Sequence, residues 1–229
     1  WPNYNLTQCL QRTSPCDLQM LLYLLGSSNT SLAFPSPYII SLAAGRYSVD
    51  RPLAFTLANV SITIQPNSDV ALQSATLEFE ASSGQVIHLA GETQLTLNFL
   101  AISHKALNPN PDQALFLVDE HSRLSFTSCL FSNSPSTKPF SFVAGTGSVE
   151  LTLAMFRRFE AGIVFNGPNV TIFDGSFENV KFQLANSSYV ELVQALVSES
   201  SSPFGPFIQV HQQLLLDQVR FDECKFEHG

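Results

Sequence analysis

The segment Leu95–Ser103 reads LTLNFLAIS, and five later segments repeat its pattern: LSFTSCLFS at Leu124–Ser132, VELTLAMFR at Val149–Arg157, VTIFDGSFE at Val170–Glu178, VELVQALVS at Val190–Ser198 and LLLDQVRFD at Leu214–Asp222. In register, the first position holds Leu95, Leu124, Val149, Val170, Val190 and Leu214, and the third holds Leu97, Phe126, Leu151, Ile172, Leu192 and Leu216. These positions alternate with mostly polar residues, the period of two expected of a half-buried strand. The next apolar position is the sixth, with Leu100, Cys129, Ala154, Gly175, Ala195 and Val219. The step from three to six breaks the alternation as a bend would. The eighth position, Ile102, Phe131, Phe156, Phe177, Val197 and Phe221, then starts a second strand.

A further apolar segment precedes each copy: QVIHLAG, ALFLVDE, FSFVAG, GIVFNG, KFQLANS and PFIQVHQ. Each unit therefore reads as strand, turn, strand, bend, strand and loop, with first positions spaced 29, 25, 21, 20 and 24 residues apart. Units of this size, each with too little apolar surface to stand alone, are the coils of a solenoid. Three short strands per coil predict an all-β fold, a right-handed parallel β-helix. A β-sandwich also has many alternating strands, but it does not stack small residues such as Ala154, Gly175 and Ala195 in one inward column. A leucine-rich repeat would need Leu and Asn at a fixed, tight period. Upstream, CDLQMLLYLLGSS places Asp17 as an N-cap before Leu18–Leu25, with Gly26 where a helix would end. That helix is expected to cover the open end of the core. The division is residues 1–37 as an N-terminal segment and 38–229 as one continuous β-helix.

The 229 residues are 45% apolar and only 13% charged, with a formal net charge of -8. The apolar share allows a substantial core, and the charged share is about half that of an average soluble domain. Acidic balance argues against nucleic-acid or anionic-membrane partners, both of which reward clustered Lys and Arg. No apolar run reaches the roughly 18 to 20 residues that span a bilayer. The opening WPNYNLTQ is not a signal peptide, so the numbering is expected to start on a processed chain.

Asn5, Asn29, Asn59, Asn169 and Asn186 each begin an N-x-S/T sequon. Asn59 and Asn169 both precede a Val that opens an alternating strand, which predicts a shared position at a strand entry, on a corner facing solvent. Glycans there would solubilise an uncharged surface and place the chain in an extracellular setting. In such a setting Cys9 and Cys16, before the helix, would join as a small disulfide loop. Cys129, in the inward sixth column, is expected to be a buried free thiol behaving as a small apolar residue. It is four coils from Cys224, roughly 19 Å at about 4.8 Å per coil, too far for a bond within one molecule. Cys224 and Phe226, in the segment CKFEHG, are left as candidates for an intermolecular contact.

The opening strands YIISLAAGRYSVDRPLAFTLANVSITI carry Leu42, Gly45 and Tyr47 in the order L-x-x-G-x-Y. This resembles the pectin-lyase-like right-handed β-helix superfamily. FSNS at Phe131, FENV at Phe177 and AGIVF at Ala161–Phe165 resemble the repeats of polymorphic outer-membrane-type adhesins, without their double-glycine motif.

The superfamily resemblance implies that a lyase would carry clustered Asp carboxylates for calcium with an Arg base, and a galacturonase several Asp on adjacent coils. Here Asp17, Asp50, Asp69, Asp112, Asp119, Asp174, Asp217 and Asp222 are scattered. Asp119, Glu120 and His121 form the densest polar trio and read as a solvated corner. Arg157 and Arg158 with Glu160 read as a surface ion pair rather than a sugar-binding lip. His88, His104, His121, His211 and His228 have no metal-ligand spacing, and His88 and His211 fall in equivalent strands, facing outward. No catalytic, cofactor or metal set is expected. The leading functional reading is an extracellular glycosylated structural protein, a self-assembling filament, coat or adhesin subunit associating end to end without catalysis. The alternative is a carbohydrate-active enzyme or carbohydrate-binding β-helix, with the insertion His104–Gln113 as its ligand contact.

Overall fold

The computed structural model describes residues 18–26, 37–49, 52–56, 60–67, 74–79, 87–104, 114–132, 140–201 and 206–225. It is a parallel β-helix. One helix, α1 (Leu18–Gly26), precedes nineteen strands among the described residues.

The strands stack in three parallel faces. The first holds Tyr38–Leu42, Ser61–Pro66, Gln94–Asn98, Arg123–Thr127, Ser148–Thr152 and Asn169–Phe173, then the ends of Ser176–Val193 and Ile208–Asp217. The second runs from Gly45–Val49 through Ala75–Phe79, Ala101–His104 and Leu130–Ser132 to Leu196–Ser198 and Arg220–Asp222. The third runs from Leu53–Phe55 through Ile87–Leu89, Phe116–Val118 and Phe140–Gly145 to residues 163–166, 182–185 and 208–210.

Register follows the repeat residue by residue. Leu95 pairs with Leu124, Leu124 with Val149, Val149 with Val170, Val170 with Val190 and Val190 with Leu214. The eighth column runs unbroken from Ile102 through Phe131, Phe156, Phe177 and Val197 to Phe221. A one-residue slip would turn every apolar side chain outward, so burial itself pins the pairing.

The fifth position makes the bend. Phe99, Ser128, Leu153, Asp174, Gln194 and Gln218 all have φ between 52° and 56°, the left-handed region. Each turns the chain without interrupting the ladder. The N–H of Phe99 donates to Thr127 O on the next coil, and Ser128, Leu153, Asp174 and Gln194 donate likewise to Thr152, Phe173, Val193 and Asp217, all at 2.8–2.9 Å. A bulky residue such as Phe or Leu rarely adopts this conformation, and here the hydrogen bonds of the stack hold it. At the corner between the third and first faces the backbones crowd. A Cβ on Gly145 (φ 115°) would lie 2.2 Å from Val118 O, and one on Gly167 (φ 93°) 2.7 Å from Gly145 O.

Phenylalanine fills the core. Phe131 stacks on Phe156 with centroids 4.2 Å apart, and Phe156 on Phe177 at 4.9 Å. Phe142 meets Phe131 edge to face at 5.5 Å, and Phe182 meets Phe177 at 4.4 Å. Such pairs contribute about 0.5–1.5 kcal/mol each beyond area burial. Helix α1 packs on Gly45–Val49 and Leu53–Phe55 through its buried Leu18, Leu21, Leu22 and Leu25. On the last described coil Leu214, Leu216 and Phe221 are 44%, 49% and 40% exposed, although their columns are core in the preceding coils.

Candidate functional site

The sixth column points inward as its small side chains require. Leu100, Cys129, Ala154, Gly175 and Ala195 are buried, and Val219, on the last described coil, is half-buried. Burial pushes the Cys129 thiol up to about 12, against small opposing effects of backbone hydrogen bonds, so it stays protonated. Its Sγ donates to Leu97 O at 3.1 Å. Cys224 is also a free thiol, half-buried, with Sγ 3.3 Å from Val197 O. Cys9, Cys16, Asn5, Asn29, Asn59, Phe226 and His228 lie outside the described residues, as does most of the insertion that follows His104.

The two described sequons sit differently. Asn186 is exposed at a corner with φ 54°, and its Nδ2 donates to Asn166 Oδ1 at 2.9 Å on the preceding coil. Asn169 is half-buried within its strand. The shared position expected of Asn59 and Asn169 falls on Asn59, which lies outside the described residues. Pairing carries Asn169 through Ser148, Arg123 and Gln94 to Ser61, two residues beyond Asn59. Each Asn precedes a Val, but Val170 is a first-column residue and Val60 lies two positions before that column. The Val that follows each Asn therefore stands at a different position on the coil.

The polar trio at Asp119, Glu120 and His121 is a corner, with Ser122 N donating to Asp119 O at 2.8 Å. The expectation omitted a partner. Asp119 Oδ2 lies 3.0 Å from His88 Nε2 on the preceding coil. Their sequence separation of 31 residues hides the pair, and only the stacking of Leu89 on Val118 brings them together. Arg157 pairs with Glu178 at 3.2 Å across neighbouring coils, and Arg123 pairs with Glu150 in the same way. The side chains of Arg158 and Glu160 lie outside the described residues. His211 is exposed and His88 half-buried. His104, by contrast, points inward in the column of Val49 and Phe79, and burial lowers it to about 4.

Outward on the first face lies an array of hydrogen-bonding side chains. One row holds Thr63, Thr96 and Ser125, and a second holds Asn98, Thr127 and Thr152. Ladder geometry spaces them about 4.8 Å between coils and about 7 Å along the strand. Asn98 Oδ1 is buried without a protein partner. Among the described residues no group of three or more His, Cys, Asp or Glu side chains is arranged to hold a metal ion, and no helix is long and apolar enough to cross a membrane.

Comparison with known proteins gives no family: no protein-family model, no curated protein and no solved structure matches the chain.

Proposed function

We propose that this chain is an extracellular, N-glycosylated structural β-helix, a self-associating coat, filament or adhesin subunit that works without catalysis. The observation that carries this reading is the uncharged outer surface of the first face, with its rows Thr63, Thr96, Ser125 and Asn98, Thr127, Thr152, together with a sequon at Asn186 exposed on a corner. The uncharged outer rows of Thr, Ser and Asn support a surface solubilised by attached glycans, with Asn186 on a corner as the most accessible described sequon. The pectin-lyase-like and adhesin-type relationships belong to the same proposal. Supporting the first, Gly45 has φ 151° and the Tyr47 hydroxyl donates to Ala43 O at 2.9 Å, closing the turn between the first two strands.

Electron microscopy of native material with intact-mass analysis tests the proposal. Regular assemblies with a mass above the 25.2 kDa polypeptide are expected. Monodisperse particles at the bare polypeptide mass overturn it.

One observation favours a second reading, carbohydrate binding. The hydroxyl and amide rows of the first face form a regular surface on which an extended neutral polysaccharide could lie. Binding to a panel of neutral polysaccharides that is lost in Thr96→Val with Thr127→Val would support this reading over the first.

A further inference from the structure

Between the first strand and the last described coil, the exposed large apolar side chains gather at one place. Leu153, Phe173 and Leu196 are 47%, 46% and 38% exposed, and all three stand at the corner between the first and second faces. Phe173 differs from the other two in what leads up to it. Its row on the first face runs Asn98, Thr127, Thr152, Phe173 and Val193, so three hydrogen-bonding side chains lead along the solenoid to one open phenyl ring. No charge interrupts these five, and ladder geometry sets them about 4.8 Å apart. Residues two apart on a strand point to the same side, so Thr171 projects beside Phe173 from its own strand.

Size and polarity decide what fits here. A protein partner needs about 800 Å² a side, with a core depleted of charge. The apolar residues of this corner are interrupted instead: exposed Asp174 and Gln194 follow Leu153 in the bend column, and Ser176 separates Met155 from Leu196. One open ring among hydroxyls suits a small apolar surface that carries hydroxyls of its own, which is the face of a pyranose. Charge narrows the class further. Asp174 adjoins Phe173, and Glu191 stands next to Thr171 on the following coil, its Oε2 accepting from the Tyr189 hydroxyl at 2.8 Å. Glu150, on the coil before, is paired with Arg123. The carboxylates of Asp174 and Glu191 repel an anionic sugar and accept hydrogen bonds from neutral hydroxyls.

We propose that Phe173 is the stacking platform of a sugar subsite. One pyranose ring of an unbranched neutral polysaccharide lies with its C–H face on the phenyl ring, and the chain continues across the coils over Thr152, Thr127 and Asn98. Thr171 and Asp174 serve the hydroxyls at the edges of the stacked ring, and Thr152 serves the next sugar, one coil away. The phenyl ring fixes where the ligand is anchored, and the polar row fixes the direction in which it runs. This subsite rests on the carbohydrate-binding reading and adds to it an anchor, a direction and the exclusion of polyanionic sugars.

The test is titration calorimetry of the unmodified chain and its variants with cellohexaose, xylohexaose and mannohexaose, and with hexagalacturonate as the acidic counterpart. Phe173→Ala is expected to weaken the best neutral ligand about tenfold or more, the loss usual for truncating an aromatic anchor, and Phe173→Trp to retain it. Leu196→Ala, which removes a comparably open apolar side chain on the second face, should bind as the unmodified chain does. Phe173 is 46% exposed, so truncation spares the core, and an unchanged melting temperature checks this. If the unmodified chain binds no neutral hexasaccharide, the carbohydrate-binding reading falls and the subsite with it. Binding lost in Thr96→Val with Thr127→Val but kept in Phe173→Ala overturns the platform alone and leaves that reading standing. Hexagalacturonate bound as tightly as the neutral ligands overturns the charge exclusion. Equal loss in Phe173→Ala and Leu196→Ala, with a drop to single-copy mass by light scattering, makes the corner a contact between copies and overturns the sugar subsite.

Discussion

Cys129 and Cys224 occupy equivalent chemical positions at different corners of the solenoid. Each follows a residue of positive φ, Ser128 and Glu223, and each turns its Sγ back to the carbonyl two residues earlier and to a carbonyl of the preceding coil. Ser200, after Glu199, does the same with its hydroxyl, to Ser198 O at 2.7 Å and Phe177 O at 3.4 Å. A corner leaves carbonyls whose ladder partners have turned away, and a small inward donor answers them.

Cys129→Ser and Cys224→Ser should therefore keep the fold, because Ser200 already does this work. Cys129→Val, which removes the donor and adds a methyl group in a closed column, should cost about 1–3 kcal/mol. Chemical denaturation of the three variants measures this. In the native protein Cys129 should resist alkylation until unfolding, since burial holds its thiol at about 12 and the thiolate is the reactive form.

Gly175 is the one position of the sixth column where even a methyl group does not fit. An added Cβ would stand 2.5 Å from Ile172 Cγ2. Gly175→Ala is expected to lose about 1–3 kcal/mol and Gly175→Phe to prevent folding at this coil, whereas Ala154→Gly should be milder than either. Wild-type melting of Gly175→Phe would mean that the column does not face inward.

Phe156 lies between the rings of Phe131 and Phe177. Truncation to Ala should cost about 3–5 kcal/mol, and Phe156→Leu markedly less, because the cavity left by Ala cannot collapse within a stacked column. Thermal unfolding of both variants separates the two.

His104 makes stability depend on pH. Its folded-state value of about 4 lies below the model-peptide 6.5, so the unfolded chain binds the proton more tightly. The stability is complete above pH 6.5, falls as the pH drops through the window between 6.5 and 4, and levels below it. The full loss is about 3 kcal/mol. His104→Leu should flatten the curve in that window, measured as denaturation midpoint against pH.

The sequence by itself determined the strands, the columns and the bend. Side-chain direction alternates with a period of two, so an apolar pattern in a copy such as Leu124–Ser132 states which residues face the core, and a repeated pattern states that the copies stack. Even the bend was readable as a skipped beat between positions three and six, although its cause, a left-handed residue at position five in every copy, was not. Only the tertiary structure decided what meets what outside that pattern. His88 with Asp119, Asn186 with Asn166 and the inward turn of His104 depend on how loops of unequal length return each strand to its face. The different places of Val60 and Val170 on the coil have the same origin. Backbone pairing between coils is a long-range relation, and a local dipeptide carries no information about its place on the coil. The helix was legible in its caps and its run of leucines. That its leucines pack on Gly45–Val49 and Leu53–Phe55 follows from the fold. Burial is a property of neighbours in space, and a sequence specifies those only through the fold.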